Sequence, residues 1–357
     1  MKKILFGGAF DPIHNGHINM AELASNQLDA DVIFLPSKTA VWKQKGTDTY
    51  HKIKMIELSI KDNPRFSIDL FEVNNDKETT YSIETIQYFI NKYPNDEFYY
   101  LIGADQVNKF HLWKDSDKIT KLAKIIFFPR NDIVLDKENI DKYHMQQIVG
   151  SLKEVSSTDV RNLKSLDLNK RVIDYIIAND LYFVAKIRSF LKEKRFNHSV
   201  SVANLAYEIA KKHNLEHLDK AFIAGLLHDI GKEIDQTPIM KEHYKQFMDL
   251  PKFSYHQFAG EYIAKKEFGI DDKDILEAIK YHATGNENMS TLAKIVYASD
   301  KIEPTRGFDS SKLIEAMMLD IDKGFITVLK ANKEFLENKG KDINNRLTSK
   351  CFDYYLD

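Results

Sequence analysis

Residues 3–18 read KILFGGAFDPIHNGHI. A short run that is apolar on both faces meets a glycine pair, turns at Asp11-Pro12, and enters a helical pattern, HINMAELASNQL (17–28). Strands apolar throughout belong to parallel sheets covered on both faces. The same unit recurs downstream. DVIFLPS (31–37), FSIDLFEV (66–73), FYYLIGAD (98–105) and KIIFFPR (124–130) read as strands, with IKMIELSIKD (53–62) and SIETIQYFINKY (82–93) as helices between them. This alternation predicts a doubly wound, Rossmann-like α/β domain whose ligand lies at the carboxyl ends of its strands. The opening stretch supplies what such a site needs. Gly7 and Gly8 let backbone approach a ligand, and His14 and His17, spaced HxGH, stand where a helix begins. Free N–H groups and the positive dipole end make that helix start a phosphate seat. Taken alone, HxGH is also compatible with two surface histidines in a βα loop.

The chain has 357 residues, more than one typical domain, and its 43% hydrophobic content lets each of two domains build a core. After about Phe183 the strand signal ends and long helical periodicities take over, as in His198, Val202, Leu205 and Ile209 on one stripe. The expected domains are 1–184, α/β, and 185–357, all-α, joined by a short linker. A net charge of −2 with both signs mixed gives no support to nucleic-acid or membrane binding. Cys351 is the only cysteine, so a disulfide framework is excluded and a reducing, cytoplasmic setting is expected. There is no signal-peptide pattern and no apolar run near the roughly 20 residues that span a bilayer.

A second phosphate-binding pattern, EVSSTDVRN (154–162), places Ser156, Ser157 and Thr158 before a helix and Arg161 one turn in. GGxFDPxHxGH near the start with SSTxxR near the domain end resembles the HxGH nucleotidyltransferases, and within them the bacterial nicotinate-nucleotide adenylyltransferases. The resemblance covers about residues 2–183, including YLIGADQVNKFHLW (100–113) and VIDYIIANDLYF (172–183). It implies a Rossmann-like fold and in-line adenylyl transfer from ATP, with Mg²⁺, to nicotinate mononucleotide, giving deamido-NAD and pyrophosphate. It also implies ATP contacts from Gly8, Phe10, His14, His17, Ser157, Thr158 and Arg161, with His14 and His17 catalytic. Gly103 and Asp105 would border the nucleotide. Tyr81, Thr85 and Trp113 would form the nicotinate side, Trp113 stacking on the pyridine ring, and Arg130 would meet a phosphate or carboxylate. Two positions depart from the family: AVWK replaces a PPHK-like turn, keeping Lys43 as a candidate phosphate ligand, and Lys52 stands where an arginine is usual. The sister family acting on phosphopantetheine, which is shorter and lacks the GAD…W segment, is the distant alternative.

In the second half AGLLHDIGKE (224–233) sets His228 and Asp229 side by side after an apolar run, a costly burial unless something pairs with them. His198, His256, His282 and Asp300 fall on apolar helix faces too. Four histidines and two aspartates directed into one helical core call for cations, and six ligands exceed one tetrahedral site, so two metals with Asp229 as bridge are expected. Paired metals would produce a hydroxide at neutral pH and clamp a phosphate. The order H…HD…H…H…D resembles the HD phosphohydrolase superfamily. RFNHSVSVA, LLHDIGK, YHATG and SDKIEPTR most resemble bacterial hydrolases that split diadenosine tetraphosphate into two ADP. That resemblance implies a di-iron centre, with manganese or zinc as alternatives: His198, His228, Asp229 and Asp300 on one metal, Asp229, His256 and His282 on the other. It adds Lys232, Thr284, Lys301 and Arg306 as phosphate contacts, with Asp229 and Lys232 catalytic.

The sequence thus reads as a bifunctional enzyme acting on small molecules: ATP, nicotinate mononucleotide and diadenosine tetraphosphate. Two rivals stay open for the second half. It hydrolyses another phosphoester (a cyclic dinucleotide, an alarmone or a nucleotide), or it is a metal-stabilised nucleotide-binding module. A homo-oligomer and the preference for nicotinate over nicotinamide are also open.

Overall fold

The computed structural model describes residues 1–38, 46–75, 77, 79–130, 133–340 and 345–356. The chain divides into two compact units, Met1–Ser157 with Leu168–Ala178, and Thr158–Asp167 with Asn179–Asp357.

Among the described residues the first unit is built on six parallel strands, β1 (Lys2–Gly8), β2 (Asp31–Pro36), β3 (Phe66–Ile68), β4 (Glu97–Gly103), β5 (Lys124–Phe128) and β6 (Gln146–Gln147). Their order is β3-β2-β1-β4-β5-β6. The chain winds outward from β1 to β3, then returns to lay β4 on the other side of β1, in register Phe6 opposite Leu101. This reversal sets a topological switch point at the carboxyl ends of β1 and β4, where doubly wound folds bind ligands. Strands β1, β2, β4 and β5 are buried on both faces along most of their length, as their unbroken apolar sequences require. One face packs Leu5, Ile33, Tyr100 and Ile125 with Ile86, Phe89, Phe110 and Ile119.

Two details differ from the sequence reading. FSIDLFEV is a strand only over Phe66–Ile68, and Phe71–Asn74 turns helical, with the Asp69 carboxylate accepting from the Phe71 N–H at 2.9 Å. An aspartate can satisfy the backbone locally in this way, so it ends a strand that periodicity would extend. β6 was not anticipated: a two-residue edge strand of glutamines carries no apolar pattern.

The second unit is helical. Glu193–Lys212 carries the stripe Val202, Leu205 and Ile209, all buried, and Leu218–Leu227 is buried from Ala221 onward. The two approach so closely that a Cβ on Gly225 would lie 2.7 Å from Ala203 Cα. Tyr255–Phe268, Lys273–Tyr281 and Thr291–Ile302 complete the centre. After Ser310 the chain forms two helices, Ser311–Leu319 and Ile321–Asn338. Asp320 caps the second by accepting from Lys323 N–H at 2.9 Å. Among the described residues no helix is long and apolar enough to cross a membrane.

Candidate functional site

In the first unit the helix Asn15–Leu28 starts directly after His14. The rings of His14 and His17 stack with centroids 3.6 Å apart. The His14 N–H donates to His17 Nδ1 at 3.3 Å, so the neutral His17 ring carries its hydrogen on Nε2. Burial, and then the neighbouring His14, hold His17 well below the usual histidine range. The helix start therefore presents an uncharged N–H donor at its positive end, an arrangement suited to an anion. Gly16 makes room for it: a Cβ there would fall 2.9 Å from His14 Nδ1 and 3.0 Å from Val155 Cγ1.

The other expected residues of this half are variously placed. Phe10, in the left-handed region at φ 44°, is buried, with its ring 5.4 Å from Phe6 and 5.0 Å from His17. Gly8 leaves space for that ring, since its Cβ would lie 3.0 Å from Phe10 Cζ. A Cβ on Gly7 would approach the Tyr100 hydroxyl to 3.0 Å, and Trp113 packs edge-on to Tyr100 at 5.8 Å. Thr85 is fully buried and donates its hydroxyl to Glu72 at 2.8 Å. Tyr81 is exposed beneath the Lys114 ammonium, 4.2 Å from its ring centroid. Asp105 follows Gly103 at the end of β4, where a Cβ on Gly103 would meet its carboxylate at 2.9 Å. Arg130 is exposed two residues beyond β5. Ser157 donates to the Pro12 carbonyl at 2.9 Å, and in the second unit Arg161 donates to the Thr158 hydroxyl at 3.0 Å. Lys43 lies outside the described residues.

The second unit gathers all six expected ligands in one cage. His228, Asp229, His256, His282 and Asp300 are buried and His198 nearly so. Asp229 Oδ1 lies 3.3 Å from His256 Nε2 and 3.4 Å from His282 Nε2, while its Oδ2 faces His228 Nε2 at 3.6 Å. Asp300 Oδ1 lies 3.1 Å from His198 Nε2 and 3.6 Å from His228 Nε2. Two overlapping triads, His198–His228–Asp300 and His228–Asp229–His282, could each hold a cation.

Local structure aims these rings. His228 and His282 follow the last residues of their helices, and each Nδ1 donates to the carbonyl three residues back, Gly225 and Ile279, at 2.7 Å. Carbonyls in a last helical turn lack intrahelical donors, so the imidazole satisfies them and turns its Nε2 inward. His256, one residue into its helix, does the same to Phe253 at 2.6 Å. Metal-binding histidines are oriented in this way.

The electrostatics agree. Burial alone would push the carboxyls of Asp229 and Asp300 up. The imidazoles around Asp229, and Lys301 with His198 beside Asp300, overcome it and hold both well below the carboxylate range. Burial draws His282 down to about 3 and lowers His256. His228 goes up, because Asp229 and Asp300 outweigh its burial. Two carboxylates and four imidazoles, with His256 and His282 held toward the neutral form, are the donor set a divalent transition metal takes. His228 Nε2, buried and without a hydrogen-bond partner, points into the same space. The residues fit a metal centre.

Cations ring it: Lys301 pairs with Asp300 at 2.7 Å, Arg306 also pairs with Asp300, and Lys232 Nζ sits 3.2 Å from both ring nitrogens of His256. Thr284 is buried, its hydroxyl donating to the Gly285 carbonyl at 2.9 Å and accepting from Gln257 at 3.1 Å.

Two families match the chain: Cytidylyltransferase-like over residues 5–163 and HD domain over residues 195–305. A protein of Mycoplasma genitalium named "Probable nicotinate-nucleotide adenylyltransferase/Ap4A hydrolase" is 28% identical over 354 residues, which is 96% of this chain and 99% of the relative. A "Probable nicotinate-nucleotide adenylyltransferase" of Clostridium tetani is 36% identical over 171 residues, 45% of this chain and 85% of the relative. The chain belongs to the nicotinate-nucleotide adenylyltransferase family. A solved structure from Clostridium acetobutylicum, described as a predicted HD superfamily hydrolase involved in NAD metabolism, is 34% identical with a TM-score of 0.43. It covers 48% of this chain and 96% of its own.

Both halves of this adenylyltransferase-family chain hold residues that motif reading passed over. In the HD domain Arg195 donates to Asp229 at 2.6 Å, and Glu303 accepts from His198 Nδ1 at 2.9 Å. Both lie within three residues of an expected ligand, a proximity that was the available signal. In the adenylyltransferase half Lys52, already singled out as standing where an arginine is usual, is buried and donates to the Ser37 carbonyl at 2.9 Å, beyond the end of β2. Burial lowers its pKa against the pull of Asp11 and Asp48. Glu72, with its carboxyl raised by burial, has no motif around it and could be found only in three dimensions.

Proposed function

We propose that residues 1–184 transfer the adenylyl group of ATP to nicotinate mononucleotide, giving deamido-NAD and pyrophosphate, and that residues 185–357 cleave diadenosine tetraphosphate symmetrically into two ADP. The main support is that both motif sets, HxGH with SSTDVR and H…HD…H…H…D, occur on one chain that aligns end to end with a relative carrying both names.

In the first half the substrate phosphate attacks the α-phosphorus in line, so the protein's task is positioning and charge stabilisation. His17 Nε2–H and the positive end of the helix dipole would face the phosphates, with Mg²⁺ accompanying ATP. The contacts assigned to Gly8, Phe10, Lys43, Gly103, Asp105, Ser157, Thr158 and Arg161 for ATP, and to Tyr81, Thr85, Trp113 and Arg130 for the mononucleotide, rest on motif position.

In the second half His198, His228, Asp229 and Asp300 would hold one metal and Asp229, His256 and His282 the other, with iron proposed over manganese or zinc. The two oxygens of Asp229, facing different imidazoles, suit it to the shared position. Divalent cations there supply Lewis-acid neutralisation of a phosphoryl group. Lys232, Lys301 and Arg306 would take up the remaining phosphate charge, and Arg195 orients Asp229.

The deciding experiment is product analysis of the full chain, purified without oxygen. It is given Fe²⁺, Mn²⁺ or Zn²⁺ with diadenosine tetraphosphate, and separately Mg²⁺-ATP with nicotinate mononucleotide. ADP alone, lost in the His228→Ala, Asp229→Ala variant, and deamido-NAD with pyrophosphate are expected. ATP with AMP, or no turnover of the tetraphosphate, would overturn the hydrolase assignment.

A further inference from the structure

The four histidines of the cage are oriented in two different ways. His228, His256 and His282 each donate Nδ1–H to a main-chain carbonyl three residues upstream, an acceptor that no substitution removes. His198 lies inside the helix Glu193–Lys212, where the carbonyls are engaged in the helical ladder, so its ring must find a partner elsewhere. It finds Glu303 Oε1 at 2.9 Å, 105 positions along the chain, just past the helix Thr291–Ile302.

Glu303 is itself aimed. It is only 1% exposed, yet all its contacts are made. Its Oε2 accepts from the Ser201 hydroxyl and the Thr305 N–H, both at 2.7 Å, and Oε1 accepts from the Thr305 hydroxyl at 2.7 Å. Ser201 stands one helical turn from His198, on the same face, so a single helix presents both the ring and one of the groups that fix its acceptor. Arg306 Nε lies farther away, at 3.9 Å. A buried carboxylate is costly without such donors, and this one is spent on a ring already placed at Asp300.

We propose that Glu303 is a positioning residue of the metal centre: it fixes the hydrogen of His198 on Nδ1 and so leaves Nε2 facing the metal position beside Asp300. The inference rests on reading the cage as a metal site. An ionised carboxylate only accepts, which fixes the hydrogen on Nδ1. Losing an outer partner of this kind typically costs about 10–100-fold in metal affinity.

The test uses the full chain, ¹⁵N-labelled, metal-free and then titrated with Zn²⁺. Wild type should show a downfield, exchange-protected His198 Nδ1–H resonance in both states, with two Zn²⁺ binding steps. Glu303→Ala should lose the resonance and weaken one step about 10–100-fold while the other holds. Ser201→Ala, which loosens the acceptor without removing it, should shift the same step by less. Should a melting curve show that the alanine variant does not fold, Glu303→Gln replaces it. The amide keeps the shape without the charge, and a several-fold loss in one step is expected. Both affinities within two-fold of wild type in the folded variant would overturn the proposal. If wild type binds no metal, the metal-site reading fails instead, a result distinguishable because the resonance is read without metal.

Discussion

His256 Nε2 and His282 Nε2 lie 3.1 Å apart in the helical core. Two imidazoles cannot both carry hydrogens on nitrogens that face each other so closely. At least one lone pair there is directed at the other ring and at Asp229 Oδ1, which both rings face. Because each ring already donates its Nδ1–H to a carbonyl, neutral rings turn lone pairs at each other and at that carboxylate, and a cation between the three groups resolves it.

The first prediction concerns these ligands. His282→Ala should lower metal content and reduce hydrolysis by at least about 100-fold, the scale at which even outer partners of a metal are felt. Metal analysis beside the rate of ADP release checks it. Full activity with one equivalent of metal lost would show that the second position is not needed.

Gly16→Ala tests the stacked pair in the other half. The added methyl meets His14 Nδ1 and Val155 Cγ1 at 2.9 and 3.0 Å, so the ring must move by a few tenths of an ångström. A misplacement of about 1 Å at a positioning group costs about 100-fold in rate, and a smaller shift costs less. Adenylyl transfer should fall by about tenfold or more with little change in melting temperature, measured as kcat/KM for ATP.

The burial of His17 has a pH consequence. A histidine whose folded pKa lies below its unfolded value binds fewer protons when folded, so stability falls as pH drops below about 6.5. Replacing His17 by glutamine removes that contribution. Melting temperatures taken between pH 7.5 and 5.5 should decline less steeply in His17→Gln than in wild type. Parallel declines would mean that His17 is charged in the folded protein.

Gly231 is a packing point. A Cβ there would sit 2.7 Å from both the Gly260 nitrogen and the His256 carbonyl oxygen, which are main-chain atoms that cannot swing away. Gly231→Ala should therefore separate the LLHDIGK segment from the helix Tyr255–Phe268. A destabilisation of about 1–3 kcal/mol is expected, read from urea unfolding, with hydrolysis impaired alongside.

How much of this could be read in advance depended on the kind of interaction. The strands β1, β2, β4 and β5 were visible because a strand buried on both faces must be apolar throughout, whereas β6, two glutamines at an edge, has no such requirement. The six cage residues were legible because a polar group on an apolar helix face violates the pattern around it. Glu303 had only its nearness to Asp300 to mark it: it lies beyond the helix end, where a glutamate is unremarked, and the fold is what brings it to His198. Thr85 was singled out by its motif, but its bond to Glu72 joins a helix to the segment after β3, a pairing no local spacing encodes. The packing of the Phe10 ring 3.0 Å from where a Gly8 Cβ would stand is a tertiary contact that the glycine pair alone does not announce.

The main-chain carbonyls of Gly225, Phe253 and Ile279 give the cage a particular evolutionary robustness. Three of its four imidazoles are held by atoms common to every amino acid, so drift at the acceptor positions leaves their orientation untouched. The alphabet available around the centre is correspondingly wide: neighbours can change to suit a new phosphoester while the rings keep their bearing. His198 is the exception, because its acceptor can mutate, and a lineage that altered residue 303 would retune one corner of the centre without dismantling the rest.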